Sequence, residues 1–236
     1  MNRTLLRLAV LALVLVSCTG DELNLPSDGD PGTIEVLGGN DQNGRVGGSL
    51  QESLVVRVTD IHGRPVPDQR VEFTPTLDPS GQFLPHTVLT DDAGIAAARW
   101  LLGTQAGPQR AAARVVGAPT PLAAAFSATA DPDPPDSLAI VGGDNQAEQI
   151  GNVLPESLIV VLLDRFGNPI AGADVGWSAQ NGSLSSNQVT TGSDGRAAVK
   201  WTLGFYPGFQ HATATYGNMK GAPVTFTAAA TVGPSP

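Results

Sequence analysis

The chain has 236 residues, a formal net charge of −9 at pH 7 and lysine only at Lys200 and Lys220. Such an acidic chain lacks the clustered cations that nucleic acid requires, and has no electrostatic attraction to an anionic lipid surface. With 28 glycines, 19 prolines and 41% hydrophobic residues, the composition argues against disorder and for short strands joined by many turns.

The first element is a leader. Arg3 and Arg7 precede an apolar run from Leu8 to Val16, followed by Ser17 and Cys18, the only cysteine. A charged start, a short apolar core and a small residue before the cut describe a signal peptide over residues 1–17, too short to span a bilayer as a helix. Leu15-Val16-Ser17-Cys18 resembles the lipobox of bacterial lipoproteins. The resemblance implies that the Cys18 thiol carries a diacylglycerol and becomes the first residue of the mature chain. The membrane is then a partner through that lipid, and the location is the cell envelope, outside the cytoplasm. Thr19, rather than Asp, follows the cysteine and favours the outer membrane in an organism that has one. With Cys18 acylated no thiol is left for a disulfide, so the folded part must rely on apolar burial.

Residues 18–32 are polar and turn-rich and read as a flexible tether. Beyond them the chain repeats itself. Val36-Leu37-Gly38-Gly39 recurs as Ile140-Val141-Gly142-Gly143, and Asp60-x-x-Gly63-x-Pro65 recurs as Asp164-x-x-Gly167-x-Pro169, both at an offset of 104. From Gly94/Gly195 through Trp100/Trp201 to Gly107/Gly208 the offset is 101. The first copy therefore carries an insertion near Asp78-Pro79-Ser80-Gly81, which reads as a loop. The organisation expected is a domain over 33–130, a proline-rich spacer over 131–135, a second domain over 136–231 and a tail over 232–236.

Within each copy apolar residues alternate with polar ones. Leu54, Val56 and Val58 share one parity, as do Leu158, Val160 and Leu162, and Ala197, Val199, Trp201 and Leu203. A period of two argues half-buried strands, and about seven of them per copy predict an all-β fold of two tandem antiparallel β-sandwiches.

The repeated Asp-x-x-Gly-x-Pro, followed by Val-x-[Phe/Trp] and then Thr-x-x-x-Gly-x-Ala-x-x-x-Trp-x-Leu-Gly, runs from Asp60 to Gly103 and from Asp164 to Gly204. It resembles bacterial immunoglobulin-like domains of the Big-1 (invasin/intimin) type. That resemblance implies immunoglobulin-like sandwiches used outside the cytoplasm as stalk or spacer, sometimes with adhesive surfaces, and implies no cofactor.

Candidate sites are few. The Asp60 and Asp164 loops and the Asp91-Asp92 pair could serve a calcium ion, but each reads better as a turn in which Asp bonds its own backbone and Gly takes positive φ. Trp100, Trp177 and Trp201 fall at inward positions and read as core rather than as sugar platforms. His62, His86 and His211 lie apart, with no metal-ligand spacing, and no nucleophile stands beside a base, so no enzyme activity is expected. Phe205, Tyr206 and Phe209 differ. They cluster in a turn of the second copy where the first has Thr104, Gln105 and Pro108. They form the candidate binding surface, for a protein or, in the alternative reading, a glycan.

Overall fold

The structure is a computed structural model that describes residues 29–77, 81–219 and 221–233; the leader and Cys18 lie outside them. Among the described residues all regular structure is strand. The first half forms β1 (Thr33–Gly38), β2 (Gln42–Arg45), β3 (Leu54–Thr59), β4 (Arg70–Pro75), β5 (Gln82–Leu84), β6 (Thr87–Leu89), β7 (Ile95–Leu101), β8 (Gly107–Val115) and β9 (Ala123–Asp131). The second forms β10 (Pro135–Gly142), β11 (Gln146–Gln149), β12 (Leu158–Asp164), β13 (Asp174–Ala179) and β14 (Ser183–Leu184). It continues with β15 (Gln188–Thr190), β16 (Arg196–Val199), β17 (Trp201–Thr202), β18 (Gly208–Thr215) and β19 (Val224–Thr231).

Each half packs two sheets face to face. In the first, β1-β3-β7-β5 faces β2-β9-β8-β4-β6; in the second, β10-β12-β16 with the short β14-β17 pair faces β11-β19-β18-β13-β15. The alternation explains the layering, since side chains of one parity meet in the middle. Leu54, Val56, Val58, Phe73, Trp100 and Phe126 build one core, and Leu158, Val160, Leu162, Trp177, Trp201 and Phe226 build the other. Aromatic rings seal both. Phe83 and Trp100 have ring centroids 5.5 Å apart, and Trp177 stacks on Phe226 at 5.8 Å.

Not every pairing is antiparallel. Strands β2 and β11 run parallel to β9 and β19 at the edge where the chain crosses between sheets. Their sequences, QNGR and QAEQ, carry no apolar alternation, so periodicity could not reveal them. A glutamine pins each crossover: Gln42 Nε2 donates to the Gly39 and Glu52 carbonyls, and Gln146 Nε2 to those of Gly143 and Glu156.

The two cores are separate clusters joined by residues 132–134, which lie between β9 and β10. Trp201 is fully buried and its indole N–H donates to the Asn181 carbonyl at 3.1 Å. Replacing it, Trp201→Ala, should destabilise the second sandwich by about 3–5 kcal/mol. Differential scanning calorimetry should then show two transitions, with the first sandwich unfolding after the second.

Candidate functional site

The repeated Asp-x-x-Gly-x-Pro turns close on their aspartates. Asp60 Oδ1 accepts the His62 and Arg64 backbone N–H groups, both at 2.9 Å, and Oδ2 accepts Arg64 Nε at 2.7 Å. Asp164 Oδ1 likewise accepts from Phe166 N and Asn168 N, at 2.8 Å each. Gly63 and Gly167, at φ +77° and +84°, turn the chain where a side chain would be strained. Withdrawal from water pushes both carboxyls up. The donors outweigh it: bonds from Arg64 and His62 bring Asp60 down to about 2, and those from Asn168, Asp133 and Phe166 hold Asp164 below the usual carboxylate range. The Asp60 carboxylate and Asp164 Oδ1 are spent on their own turns. The Asp91 carboxylate is spent in the same way, on Ala93 N and Ile95 N.

In the second sandwich this turn also reaches the first. Asn168 is only 7% exposed. Its Nδ2 donates to the Thr104 carbonyl at 2.8 Å and to Asp164 Oδ2 at 2.8 Å, while its Oδ1 accepts from Ala106 N at 2.9 Å. Asp164 Oδ2 further accepts from Asp133 N in the spacer at 2.9 Å, and Arg165 Nε pairs with the Asp133 carboxylate at 2.8 Å. The Phe166 ring lies over Gly47 of the first sandwich; a Cβ on Gly47 would stand 3.3 Å from Phe166 Cζ. Spacer, turn and loop 102–107 thus form a single joint. A groove of about 680 Å³ beside it is lined by Arg45, Gln105, Pro134, Asn168 and Ile170, and its lining holds one carboxylate, Asp133, the partner of Arg165.

The equivalent loop of the second sandwich stands at its far end. A buried glutamine shapes both loops. Gln109 Oε1 accepts from Gly103 N while its Nε2 donates to the Gly103 and Gln105 carbonyls; Gln210 does the same with Gly204 and Tyr206. On that frame Phe205, Tyr206 and Phe209 are 79%, 75% and 76% exposed. Phe205 lies against Gly151, the counterpart of Gly47, so its own ring occupies the place that Phe166 takes in the joint. A cleft of about 490 Å³ opens beside Phe205 and Tyr206, rimmed by Asn181, Ser183 and Thr202.

The remaining candidates scatter. Trp100, Trp177 and Trp201 are buried in the two cores. Among the described residues no group of three His, Cys, Asp or Glu converges as a metal site. Three functional residues escaped sequence reasoning. Asn168 is hidden among the variable positions of the turn, where the first copy has Arg64. Gln109 and Gln210 recur as polar residues at an inward parity, beside Ala111 and Ala212, and that recurrence was the available signal.

Comparison with known proteins agrees with this architecture. Residues 151–229, all within the second sandwich, match the family model of the bacterial Ig-like domain (group 1). The chain is similar to the solved structure of InvD from Yersinia pseudotuberculosis, at 19% identity and a TM-score of 0.50, with 89% of this chain and 59% of that one covered. FdeC, an Escherichia coli adhesin, aligns at 18% identity and a TM-score of 0.49, covering 86% of this chain and 63% of that one. Invasin, a bacterial integrin-binding protein, aligns at 22% identity and a TM-score of 0.41, covering 86% and 40%. The chain spans less than two thirds of each of these three. The InvD likeness shows the fold, tandem immunoglobulin-like sandwiches. No curated protein matches the sequence.

Asn168→Ala should release the joint while leaving both sandwiches folded. The expected loss is about 1–3 kcal/mol of interdomain coupling, and small-angle scattering should show a broadened distance distribution. Acid should act on the same turns. Because Asp60 and Asp164 titrate lower in the folded state than in the unfolded one, their stabilisation is present above the unfolded value near 3.8 and is lost as pH falls through the folded values. Denaturant titrations should therefore show stability falling from about pH 4 towards pH 2, and less steeply in Asp60→Asn.

Proposed function

We propose that this protein is a cell-envelope lipoprotein whose two sandwiches form a short stalk, with the far loop of the second sandwich as its contact surface. The observation that carries the reading is the joint at Asn168. It ties the two sandwiches to each other directly, as a spacer needs and as two domains on a free linker would not be tied. The lipid on Cys18 supplies attachment, and residues 19–32 supply reach between membrane and first sandwich. An acidic surface leaves membrane affinity to that lipid alone. Bacterial Ig-like modules of group 1 suit this extracytoplasmic, structural or adhesive use.

A second reading concerns the partner. The cleft beside Phe205 and Tyr206 combines ring faces with the Asn181 amide and the Ser183 hydroxyl, a composition that suits a sugar. A protein partner would instead bury the three rings without needing the cleft.

Cys18→Ser tests the tether. The wild-type protein should partition with membranes and the variant with the soluble fraction, read by fractionation and immunoblot; a variant that stays with membranes overturns the lipid anchor. Phe205→Ala, Tyr206→Ala and Phe209→Ala combined should abolish retention of cells' envelope polysaccharide on the immobilised protein, and unchanged retention sinks the glycan reading.

A further inference from the structure

We infer that the outer face of β13, β18 and β19 continues the distal cleft as a binding trough for an uncharged, extended polysaccharide; the inference rests on the glycan reading of the distal loop. Strand parity places Phe209, His211, Thr213 and Thr215 on the outward side of β18. Across them stand Ala229, Thr227 and Thr225 of β19 and Ser178 and Gly176 of β13. The result is a row of hydroxyls, an imidazole and one ring, leading from the loop down the sheet over about 13 Å between Phe209 and Thr213. A hollow of about 510 Å³ lies there, lined by Ser178, Gln180, His211, Thr213 and Thr225. Ser178 Oγ and Thr213 Oγ1 are hydrogen-bonded at 2.7 Å, and His211 Nδ1 meets Thr227 Oγ1 at 3.2 Å.

The first sandwich provides the internal comparison. At the same positions it carries Glu72 for Gly176, Arg110 for His211 and Arg114 for Thr215, with Glu72 directly opposite Arg114. Ala112, the counterpart of Thr213, is buried there although it points outward. The second sandwich has exchanged those glutamate and arginine residues for glycine, histidine and threonine. Two carboxylates border its trough, and both are engaged: Asp144 Oδ1 accepts the Thr227 N–H, and Asp174 accepts the Thr190 hydroxyl.

Charge and chemistry select the occupant. Without a lysine or arginine on these outward positions, and in a chain of net charge −9, an acidic polymer or anionic lipid gains nothing. A neighbouring sandwich docked as in the joint is also disfavoured. That clamp uses the Ala106 N–H, and the matching residue is Pro207, which has none. Sugar rings offer C–H faces to Phe205, Tyr206 and Phe209 and hydroxyls to threonine, serine, glutamine and histidine.

The test uses the full chain purified in mild detergent, run in native gels cast with hydroxyethyl cellulose, dextran or galactomannan, and with polygalacturonate as the acidic control. At least one neutral polymer should retard it and polygalacturonate should not. His211→Arg with Thr215→Arg, which imports the first sandwich's residues, should weaken polymer binding about tenfold, and Thr213→Ala should act in the same direction. Binding of the matching disaccharide, followed by isothermal titration calorimetry, should be unchanged in these variants and lost in Phe205→Ala/Tyr206→Ala. If the face variants keep full polymer affinity while the loop variant loses it, the trough is overturned and the distal-loop reading stands. Retardation by none of the neutral polymers overturns both. Self-association through Phe205 in sedimentation, or adsorption of the unacylated Cys18→Ser form to phosphatidylcholine vesicles, with no retardation by the neutral polymers, overturns both in favour of a second copy or a lipid surface.

Discussion

Everything about the relation of the two sandwiches depends on one buried carboxylate. Asp164 receives hydrogen bonds from Phe166 N, Asn168 N, Asn168 Nδ2 and Asp133 N, so turn, side-chain amide and spacer are gathered on two oxygens. A carboxylate withdrawn from water is tolerable only when so many donors meet it. Once it is in place, Asn168 is oriented, and its amide has both a donor and an acceptor left for Thr104 and Ala106 across the boundary. The proline-rich spacer is held as a consequence of this, with Arg165 closing on Asp133 from outside.

The repeat shows how little must change for such a turn to alter its role. At Asp60 the two turn N–H donors are again present, but the fifth turn position is Arg64, whose guanidinium folds back onto Asp60. A guanidinium has donors only, whereas an amide can bridge in both directions. One turn is therefore satisfied within its own sandwich and the other is shared between two. The loops at the opposite ends diverge in the same way: Thr104 and Ala106 supply backbone groups to a neighbour, while Phe205 lies back over Gly151 and Pro207 withholds the donor.

The fold was legible because burial in a sandwich imposes a period of two, and the second copy doubled every signal. Leu54, Val56, Val58 and Trp100 face inward as their parity requires, as do Leu158, Val160 and Trp201. Strands β2 and β11 were not legible, since edge pairing made by backbone groups and a glutamine leaves no apolar pattern. Phe209, expected in one turn with Phe205 and Tyr206, belongs to β18 and is exposed by its outward parity. The exposure of Phe205 and Tyr206 follows from their place in that turn, which sequence shows. The joint does not. Asn168 acts through atoms of a loop 62 residues away, and a pairing at that range is set by how two domains meet.

The glutamines under the two loops carry a wider consequence. Gln109 and Gln210 hold their loops through backbone groups of Gly103, Gln105, Gly204 and Tyr206, never through loop side chains. Backbone geometry and side-chain identity are thereby uncoupled. The same frame displays Thr-Gln-Ala in one copy and Phe-Tyr-Pro in the other. Such a loop can be rewritten by substitution without refolding the domain beneath it, so duplication of this module yields new surfaces at little risk to stability. In that respect each sandwich is a cassette, and its end loop is a blank on which recognition can be written.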